Sequence, residues 1–406
     1  MINKRKLFWA SCFALITTAF SFSIRAGIMP ILEVDLGLSP IQLGTINRMW
    51  FWGFPISMII GGLVYRSVGG GKIMAFAFVA HTAGILLTIF AGSYEVLLFS
   101  SLLIGLGNGC TEAACNPMIA DAYEGTEMSK YMNRFHMWFP GGILVGSLLS
   151  ILMTDTLGLS WQTQVGVLLV PTVIYAFLFF NEKWPGANSP EEASLSSNFS
   201  AMLSPLFLFM LFCMAFTATT EFGTSNWVPI TLEGVTDQPM LVLACTFGVM
   251  TIARYFGGSA VAQFNTVGVL LGSAVLSVVG VYLLSIATGG LVYVAAIIFG
   301  LGIAYFWPNM IGFVADYIPK SGAIGLSLVG AVGLFMAGAI QPLFGGLIEK
   351  NRSIVEAQGL SGTELNIATG QMTLSSMMYL PIALIILFAI LHFWMKGKKP
   401  VSSMAH

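Results

Sequence analysis

The chain has 406 residues, of which 56% are hydrophobic and only 9% are charged. Soluble domains carry roughly 25% charged residues, so the composition excludes an ordinary soluble protein and indicates an integral membrane protein. The 17 basic and 18 acidic side chains nearly cancel, which argues against a nucleic-acid partner. The five cysteines all lie in apolar runs, and nothing in their number or spacing predicts a disulfide framework or a metal site.

Twelve apolar runs are long enough to cross a bilayer, whose core of about 30 Å needs about 20 helical residues. They begin near Leu7, Leu43, Ile73, Val96, Tyr131, Val165, Leu203, Leu241, Val267, Val292, Ile324 and Met372. The first run continues past the length of a signal peptide and shows no convincing cleavage site, so we expect it to be retained as a helix. The predicted fold class is therefore an all-α integral membrane protein with twelve transmembrane helices.

A polar stretch at 181–200 divides these runs into six and six. We expect an N-terminal six-helix half at 1–180, a central cytoplasmic loop at 181–200 and a C-terminal six-helix half at 201–406. Most Lys and Arg residues fall at one membrane face if the N-terminus is inside. The positive-inside rule then predicts that both termini are cytoplasmic.

The two halves repeat one another in sequence. Gly105–Gly107 and Ala120–Asp121 recur as Gly300–Gly302 and Ala315–Asp316, both at an offset of 195. Helix four therefore corresponds to helix ten. An internal duplication of this kind is typical of secondary transporters, which bind substrate between their halves near the membrane midplane.

Helix four carries the most specific motif, E-A-A-C-N-P at 112–117, which places a carboxylate at membrane depth. Twelve spans and a central loop are similar to the major facilitator superfamily, and this motif resembles the E-x-x-x-N-P of its fucose/galactose/glucose–proton symporter family. Shorter pieces agree, namely QLGTINRMWFWGF, ARYFGG, YFWPN and AGAIQPLFGG. The loop GGLVYRSVGGGK departs from the superfamily pattern because it lacks the aspartate and has glycines in place of the arginines.

The resemblance implies a major facilitator fold in a plasma membrane, the inner membrane of a bacterium. It also implies alternating-access, proton-coupled symport of a monosaccharide or related polyol. The expected partners are the sugar, protons and the lipid bilayer, and we expect a monomer without a cofactor. The sequence shows none of the usual hydrolase, metalloprotease or phosphate-binding motifs, which argues against an enzyme. Two alternatives are an organic-anion transporter and a non-transporting receptor on the same fold.

The resemblance places Glu112 where that family carries its proton-titrating glutamate. Loss of hydration favours the neutral form of a carboxyl group, so a buried glutamate can load and release a proton. We therefore expect Glu112 to couple proton movement to transport. The alternative is a neutral acid or an ion pair that only holds helices together.

Arg25 lies in the outer half of helix one, where the family typically has an Asn and an Asp. Those two positions are Ser23 and Ala26 in this chain. Arginine does not titrate in the physiological range, so Arg25 cannot replace a lost proton site. It could pair with Glu112, bind substrate hydroxyls or select an anion such as a sugar acid, and a structural salt bridge is equally open.

Glu221 in helix seven and Arg254 in helix eight place opposite charges in neighbouring helices. An ion pair between them is slightly favoured over a direct role in transport. His136 in helix five falls where the family often carries a polar glutamine, and cavity lining and packing are equally open. His81 and His392 lie on helices three and twelve, which are usually peripheral in this superfamily, so we do not expect them at the site.

Sugars stack their C–H faces on aromatic rings and need amide or carboxylate partners for their hydroxyls. The constant offset maps Trp307 onto Glu112, which makes it the strongest aromatic candidate. The candidates for substrate binding are Arg25, Asn47, Asn116, His136, Glu221, Asn226, Trp227, Arg254, Trp307, Asn309 and Gln341.

Overall fold

A computed structural model describes residues 2–185, 195–398 and 400. Over these ranges the protein is helical and has no β-sheet, with one isolated bridge between Glu233 and Thr236. Eleven helical spans are long and apolar enough to cross a membrane, and Pro239–Tyr255 is a shorter apolar helix. The predicted all-α membrane class and its twelve spans are confirmed.

The first six spans follow the predicted order. They are α1 (Lys4–Asp35), α2 (Pro40–Val68), α3 (Gly70–Ile89), α4 (Tyr94–Ala122), α5 (Gly125–His136 and Trp138–Ile151, with a π-helical turn at Leu152–Thr156) and α6 (Trp161–Gly166 and Leu169–Phe179). A further short helix, Leu195–Met202, occupies part of the stretch predicted as the central loop, and residues 186–194 of that stretch lie outside the described ranges.

The last six spans contain more interruptions. They are α7 (Pro205–Ala218 and Thr224–Thr231, joined by a π-helical turn at Thr219–Gly223), α8 (Pro239–Tyr255), α9 (Gly257–Ile286), α10 (Leu291–Ile303 and Phe306–Tyr317), α11 (Gly322–Glu356, after a 3-10 turn at Pro319–Ser321) and α12 (Gly362–Met377 and Tyr379–Met395).

Local side-chain chemistry sets several helix ends. At the start of α2, Ser39 Oγ accepts from the Gln42 N–H, and Gln42 Oε1 accepts from the Ser39 N–H at 2.9 Å. This capping box satisfies two main-chain N–H groups that have no acceptor within the helix. Pro40, at the first helical position, has no N–H group to satisfy. Within α9, Asn265 has φ 54° and ψ 167° and its Oδ1 accepts from the Gly268 N–H at 3.0 Å. The helix axis therefore breaks at Asn265 and restarts with a side-chain cap.

The described chain folds as two compact units. The first unit contains Met1–Ser189 together with Gln341–Glu349, and the second contains Pro190–Ile340 together with Lys350–His406. Within the first unit, α4 packs on α2 and α3 while α1 packs on α5 and α6. Within the second unit, α10 packs on α8 and α9. Helices four and ten therefore hold the same place in their respective units.

Two glycines allow α4 to pack closely on its neighbours. A Cβ added to Gly105 would overlap the main-chain carbonyl of Trp50 in α2. A Cβ added to Gly107 would overlap the imidazole ring of His81 in α3. The G-x-G spacing thus lets two different helices approach the backbone of α4.

The second unit repeats this packing. A Cβ at Gly300 would overlap the main chain of Thr246 in α8, and one at Gly302 would overlap Ser277 in α9. These glycines follow Gly105 and Gly107 of α4 by 195 residues. The residues they contact, Thr246 and Ser277, follow Trp50 and His81 by 196 residues. The duplication predicted from the sequence is therefore present as matched tertiary packing inside each unit.

Gly105→Ala should destabilise the protein, because the new Cβ meets main chain that cannot swing aside. Overpacking of this kind costs about 1–3 kcal/mol, and we expect a clear fall in the Tm of the purified protein. Gly62→Ala in α2 is the matched control, since nothing lies within 4 Å of a Cβ there and alanine is the better helix former. Equal Tm values for both variants would contradict the close approach at Gly105.

Candidate functional site

Glu112 and Asn116 form a polar pair on one face of α4. Asn116 donates a hydrogen bond from Nδ2 to Glu112 Oε2, and the two residues are one helical turn apart. Both side chains are half-buried, whereas Cys115 and Met118 pack into the apolar core of the first unit. Asn116 Oδ1 is buried and has no hydrogen-bond partner among the described residues. The pair thus combines a carboxylate with an amide oxygen that can still accept.

Arg25 is only 8% exposed and packs against aromatic rings of the first unit. Its guanidinium carbon lies 4.4 Å from the ring centroid of Trp50, 5.8 Å from that of Phe51 and 5.9 Å from that of Phe22. A desolvated cation over an aromatic face gains on the order of 2 kcal/mol. Arg25 is therefore held at membrane depth with its charge facing π-electron density.

A small cavity of about 30 Å³ lies beside Arg25. Its polar lining comes from Ser21, Arg25, Thr88 and Ser101, and the remaining lining is mostly apolar. The cavity has room for one water molecule, but most of its lining surface is apolar. Three residues with hydroxyl groups thus line the cavity together with Arg25.

Arg25 and Glu112 lie at different depths. The start of α1 is hydrogen-bonded to the end of α4, so the two helices run antiparallel. Asn108 Nδ2 donates to Ser21 Oγ at 3.3 Å, which places those two residues at one level. Glu112 lies one turn from Asn108 towards the start of α1, and Arg25 lies one turn from Ser21 in the opposite direction. The two residues are therefore about 12 Å apart along the helix axis. This spacing does not favour a direct ion pair between them.

The second unit contains the ion pair that the sequence predicted. Glu221 lies in the π-helical turn of α7 and is 1% exposed, and its Oε1 is 3.5 Å from Nη2 of Arg254 in the last turn of α8. Arg254 also donates from Nε to the Ala304 carbonyl of α10 at 3.0 Å. Arg254 thus joins α8 to α7 through the ion pair and to α10 through the hydrogen bond.

Several buried polar atoms around Glu221 lack hydrogen-bond partners among the described residues. They are both carboxylate oxygens of Glu221, Thr224 Oγ1, Ser225 Oγ and Trp227 Nε1, and each of these side chains is at most 1% exposed. Buried polar atoms cost free energy unless they are hydrogen-bonded, so such a group needs a ligand or water. The adjoining π-helical turn has the irregular geometry often found at functional sites.

Aromatic rings flank the same segment of α7. The ring centroid of Trp307 in α10 lies 6.0 Å from that of Phe222, with the planes at 74°. Asn309, one turn from Tyr305, donates its Nδ2 to the Tyr305 carbonyl and so is tied to its own helix. Trp307 therefore packs on α7 at Phe222, whereas the Asn309 amide nitrogen is already hydrogen-bonded.

The remaining candidates have varied environments. Asn47 is fully buried and donates to Met29 Sδ at 3.2 Å, while its Oδ1 has no hydrogen-bond partner among the described residues. Asn226 and Gln341 are fully buried in α7 and in the part of α11 that belongs to the first unit. His136 is exposed at the end of the first segment of α5.

Sequence reasoning missed three polar residues. Thr224 and Ser225 follow Glu221 by three and four positions, a helical spacing that could have suggested them. His81, which was expected to be peripheral, is wholly buried in the first unit and hydrogen-bonded through both ring nitrogens. Its side chain points inward from α3 towards α4, and its exclusion from the substrate site stays a prediction.

The family model of the Major Facilitator Superfamily matches residues 11–342. The chain belongs to the major facilitator superfamily. It is therefore a multi-pass membrane protein, and its twelve spans and matched units have the architecture of that family.

Curated relatives match part of the chain. It is 26% identical over 188 residues to the probable anion transporter 6, chloroplastic, of Arabidopsis thaliana, which covers 45% of this chain and 35% of that protein. It is 25% identical over 169 residues to the putative transporter SVOPL of Mus musculus, covering 41% and 34% respectively. The matched part spans about a third of the length of these relatives.

Solved structures match nearly the whole chain. The nucleoside transporter NupG superposes with a TM-score of 0.74 at 13% identity, covering 96% of this chain and 99% of that one. The transporter FucP in its outward conformation superposes with a TM-score of 0.62 at 16% identity, covering 95% and 98%. At these identities the likeness establishes the fold alone.

Proposed function

We propose that this protein is a secondary transporter that carries a monosaccharide or related polyol by proton-coupled symport and alternating access. The observation that carries the proposal is the set of buried polar atoms on α7, at Glu221, Thr224, Ser225 and Trp227. A carboxylate accepts, an indole N–H donates and hydroxyls do both. A ligand rich in hydroxyl groups can satisfy all of them, whereas an apolar solute would leave them unpaired at a cost.

The charges of the candidate residues favour a neutral substrate. Each unit contains one candidate carboxylate and one candidate guanidinium, Glu112 with Arg25 and Glu221 with Arg254, so these charges sum to zero within each unit when the carboxylates are ionised. Selection of an anion works best with an excess of positive charge. The half-buried Trp307 beside Phe222 of α7 adds an aromatic ring on which the C–H surface of a sugar can stack.

Glu112 is the proposed proton carrier. It is half-buried and its Oε2 accepts from Asn116 within the motif at 112–117, which favours the fucose/galactose/glucose–proton symporter family. In this proposal the protein is a monomer in a bacterial inner membrane with both termini in the cytoplasm. The excess of Lys and Arg at one face supports that orientation.

An organic-anion transporter is the second candidate. Arg25 is a permanent cation at membrane depth, and a guanidinium can bind a carboxylate through two parallel hydrogen bonds. The curated relatives include proteins named as anion transporters. A sugar acid carries the carboxylate that this cation would bind.

Competition in proteoliposomes should decide between the two. Labelled D-glucose, D-galactose and L-fucose are offered to the reconstituted protein with an inward proton gradient, with unlabelled hexose or D-glucuronate as competitor. We expect the neutral hexose to compete better and the gradient to drive accumulation. Arg25→Lys should keep measurable uptake of a neutral sugar, but it should lose most uptake of a carboxylate because a point charge cannot replace bidentate contact.

Arg48→Lys is the matched control for this experiment. The Arg48 guanidinium also lies over an aromatic ring, 5.0 Å from the centroid of Trp52, but Arg48 is not a candidate for substrate contact. Its replacement removes the same kind of contact and should leave the choice of substrate unchanged. A clear preference for the uronic acid in the unmodified protein would overturn the sugar proposal and support the anion transporter.

A further inference from the structure

A buried chain of hydrogen bonds crosses the first unit and is centred on His81. In α3, His81 Nδ1 lies 2.9 Å from the hydroxyl of Tyr175 in α6, and Nε2 lies 2.9 Å from Asn108 Oδ1 in α4. All three side chains are wholly buried. A histidine bonded through both nitrogens has a fixed ring plane.

The chain continues from α4 into α1 and α2. Asn108 Nδ2 donates to Ser21 Oγ at 3.3 Å, and Trp50 Nε1 donates to the same oxygen at 2.9 Å. Ser21 Oγ in turn donates to the Thr18 carbonyl at 2.7 Å. Five helices of the first unit are thus joined through one serine oxygen and one imidazole.

Only one arrangement of hydrogens satisfies this chain. The single hydroxyl hydrogen of Ser21 is used on Thr18, and an indole N–H can only donate, so Asn108 must also donate to Ser21. Asn108 therefore presents its oxygen to His81, which makes His81 Nε2 a donor. A neutral ring then accepts at Nδ1 from the Tyr175 hydroxyl, and no atom of the imidazole lacks a partner.

The chain ends at Trp50, whose ring lies 4.4 Å from the Arg25 guanidinium. Trp50 is 1% exposed, and its N–H is held by Ser21 on α1, the helix that also carries Arg25. Rotation of the indole would break that hydrogen bond and withdraw the aromatic face from the cation. The orientation of Arg25 thus depends on contacts that reach back to His81.

We propose that His81 is a positioning residue that acts through Asn108, Ser21 and Trp50 to hold the Arg25 guanidinium in its substrate-binding orientation. The effect on substrate binding rests on the proposed function, because it requires that Arg25 contacts the substrate. The effect on the orientation of Trp50 does not depend on the proposed function. His81 itself neither touches the substrate nor exchanges a proton in this role.

The effect on Trp50 is measured without a substrate. The protein is labelled with 5-fluorotryptophan, and the ¹⁹F resonance of Trp50 is identified by its loss in Trp50→Phe. We expect His81→Ala to shift or broaden this resonance and Tyr175→Phe to do so more weakly. His81→Gln should restore it, because the Gln amide can donate to Asn108 and accept from Tyr175.

His392→Ala is the matched control, since His392 is exposed on α12 in the second unit. It should leave the Trp50 resonance unchanged. If His81→Ala fails to fold, Tyr175→Phe and His81→Gln still decide the outcome. A Trp50 resonance that is the same in His81→Ala or Tyr175→Phe as in the unmodified protein would overturn the proposal.

The effect on binding is measured with labelled D-galactose and D-glucose. We expect His81→Ala to weaken hexose binding about tenfold, because Asn108 then no longer fixes Ser21 and, through it, Trp50. His81→Gln should recover most of the loss. In a Trp50→Phe background, His81→Ala should have no further effect, because the indole N–H link is already absent. Additive losses would contradict a role through Trp50. If the unmodified protein binds no hexose, the proposed function fails and the Trp50 resonance alone decides this inference.

Discussion

Glu112→Gln should abolish uphill, proton-driven uptake while leaving exchange of substrate across the membrane partly intact. The amide keeps an oxygen that can accept from Asn116, so the local hydrogen bond survives. It cannot take up or release a proton, so each transport cycle loses its link to the gradient. Coupling should therefore fail before binding does.

Two measurements in proteoliposomes separate these effects. Accumulation is followed with an imposed proton gradient, and exchange is followed with labelled and unlabelled hexose on opposite sides and no gradient. Glu127→Gln removes an exposed carboxylate near the start of α5 and serves as the matched control. Normal gradient-driven accumulation by Glu112→Gln would remove Glu112 from the mechanism.

The overall fold could be predicted because the bilayer constrains it strongly. A helix must satisfy its own backbone in lipid, so long apolar runs indicate spans almost by length alone. The repeat at offset 195 also predicted real contacts, since Gly105 and Gly300 both permit close approach of a neighbouring helix. Irregular features escaped prediction, including the π-helical turn at Thr219–Gly223 and the break at Asn265. These depend on local hydrogen bonding and packing and leave no trace in hydropathy.

The candidate site was predictable only in part. Charges are rare at membrane depth, so Glu221 and Arg254 were found, and their pairing followed from the adjacency of their helices. The side on which a residue points depends on helix rotation, which packing sets. The burial of His81 and the aromatic rings around Arg25 were therefore not foreseen.

Replacing one member of the Glu221–Arg254 pair should destabilise the protein more than replacing both. Arg254→Met leaves Glu221 buried and without its countercharge, and breaking a buried pair from one side costs about 3 kcal/mol or more. Glu221→Gln should lower the stability less, because the Arg254 side chain keeps its hydrogen bond to the Ala304 carbonyl and is 23% exposed to solvent. The double variant Glu221→Gln/Arg254→Met contains neither charge and should recover most of the lost Tm.

The pair Lys6–Glu182 provides the matched control. Its atoms are closer, at 2.7 Å, but its side chains are 31% and 18% exposed. Solvent screens such pairs, so either single replacement should cost at most about 1 kcal/mol. The two cycles are compared by thermal unfolding of the purified protein, and equal costs in both would mean that burial does not strengthen the Glu221–Arg254 pair.

Transport separates the structural role of this pair from a role in binding. If Glu221 only neutralises Arg254, the double variant should regain hexose uptake together with its Tm. We expect it to regain the Tm and not the uptake, because Thr224 and Ser225 lie beside Glu221 with buried hydroxyls that need a polar ligand. The glutamine at position 221 accepts through one oxygen where the carboxylate offers two. Full uptake by the double variant would mean that Glu221 has only a structural role. The substrate contacts of α7 would then come from its other polar residues.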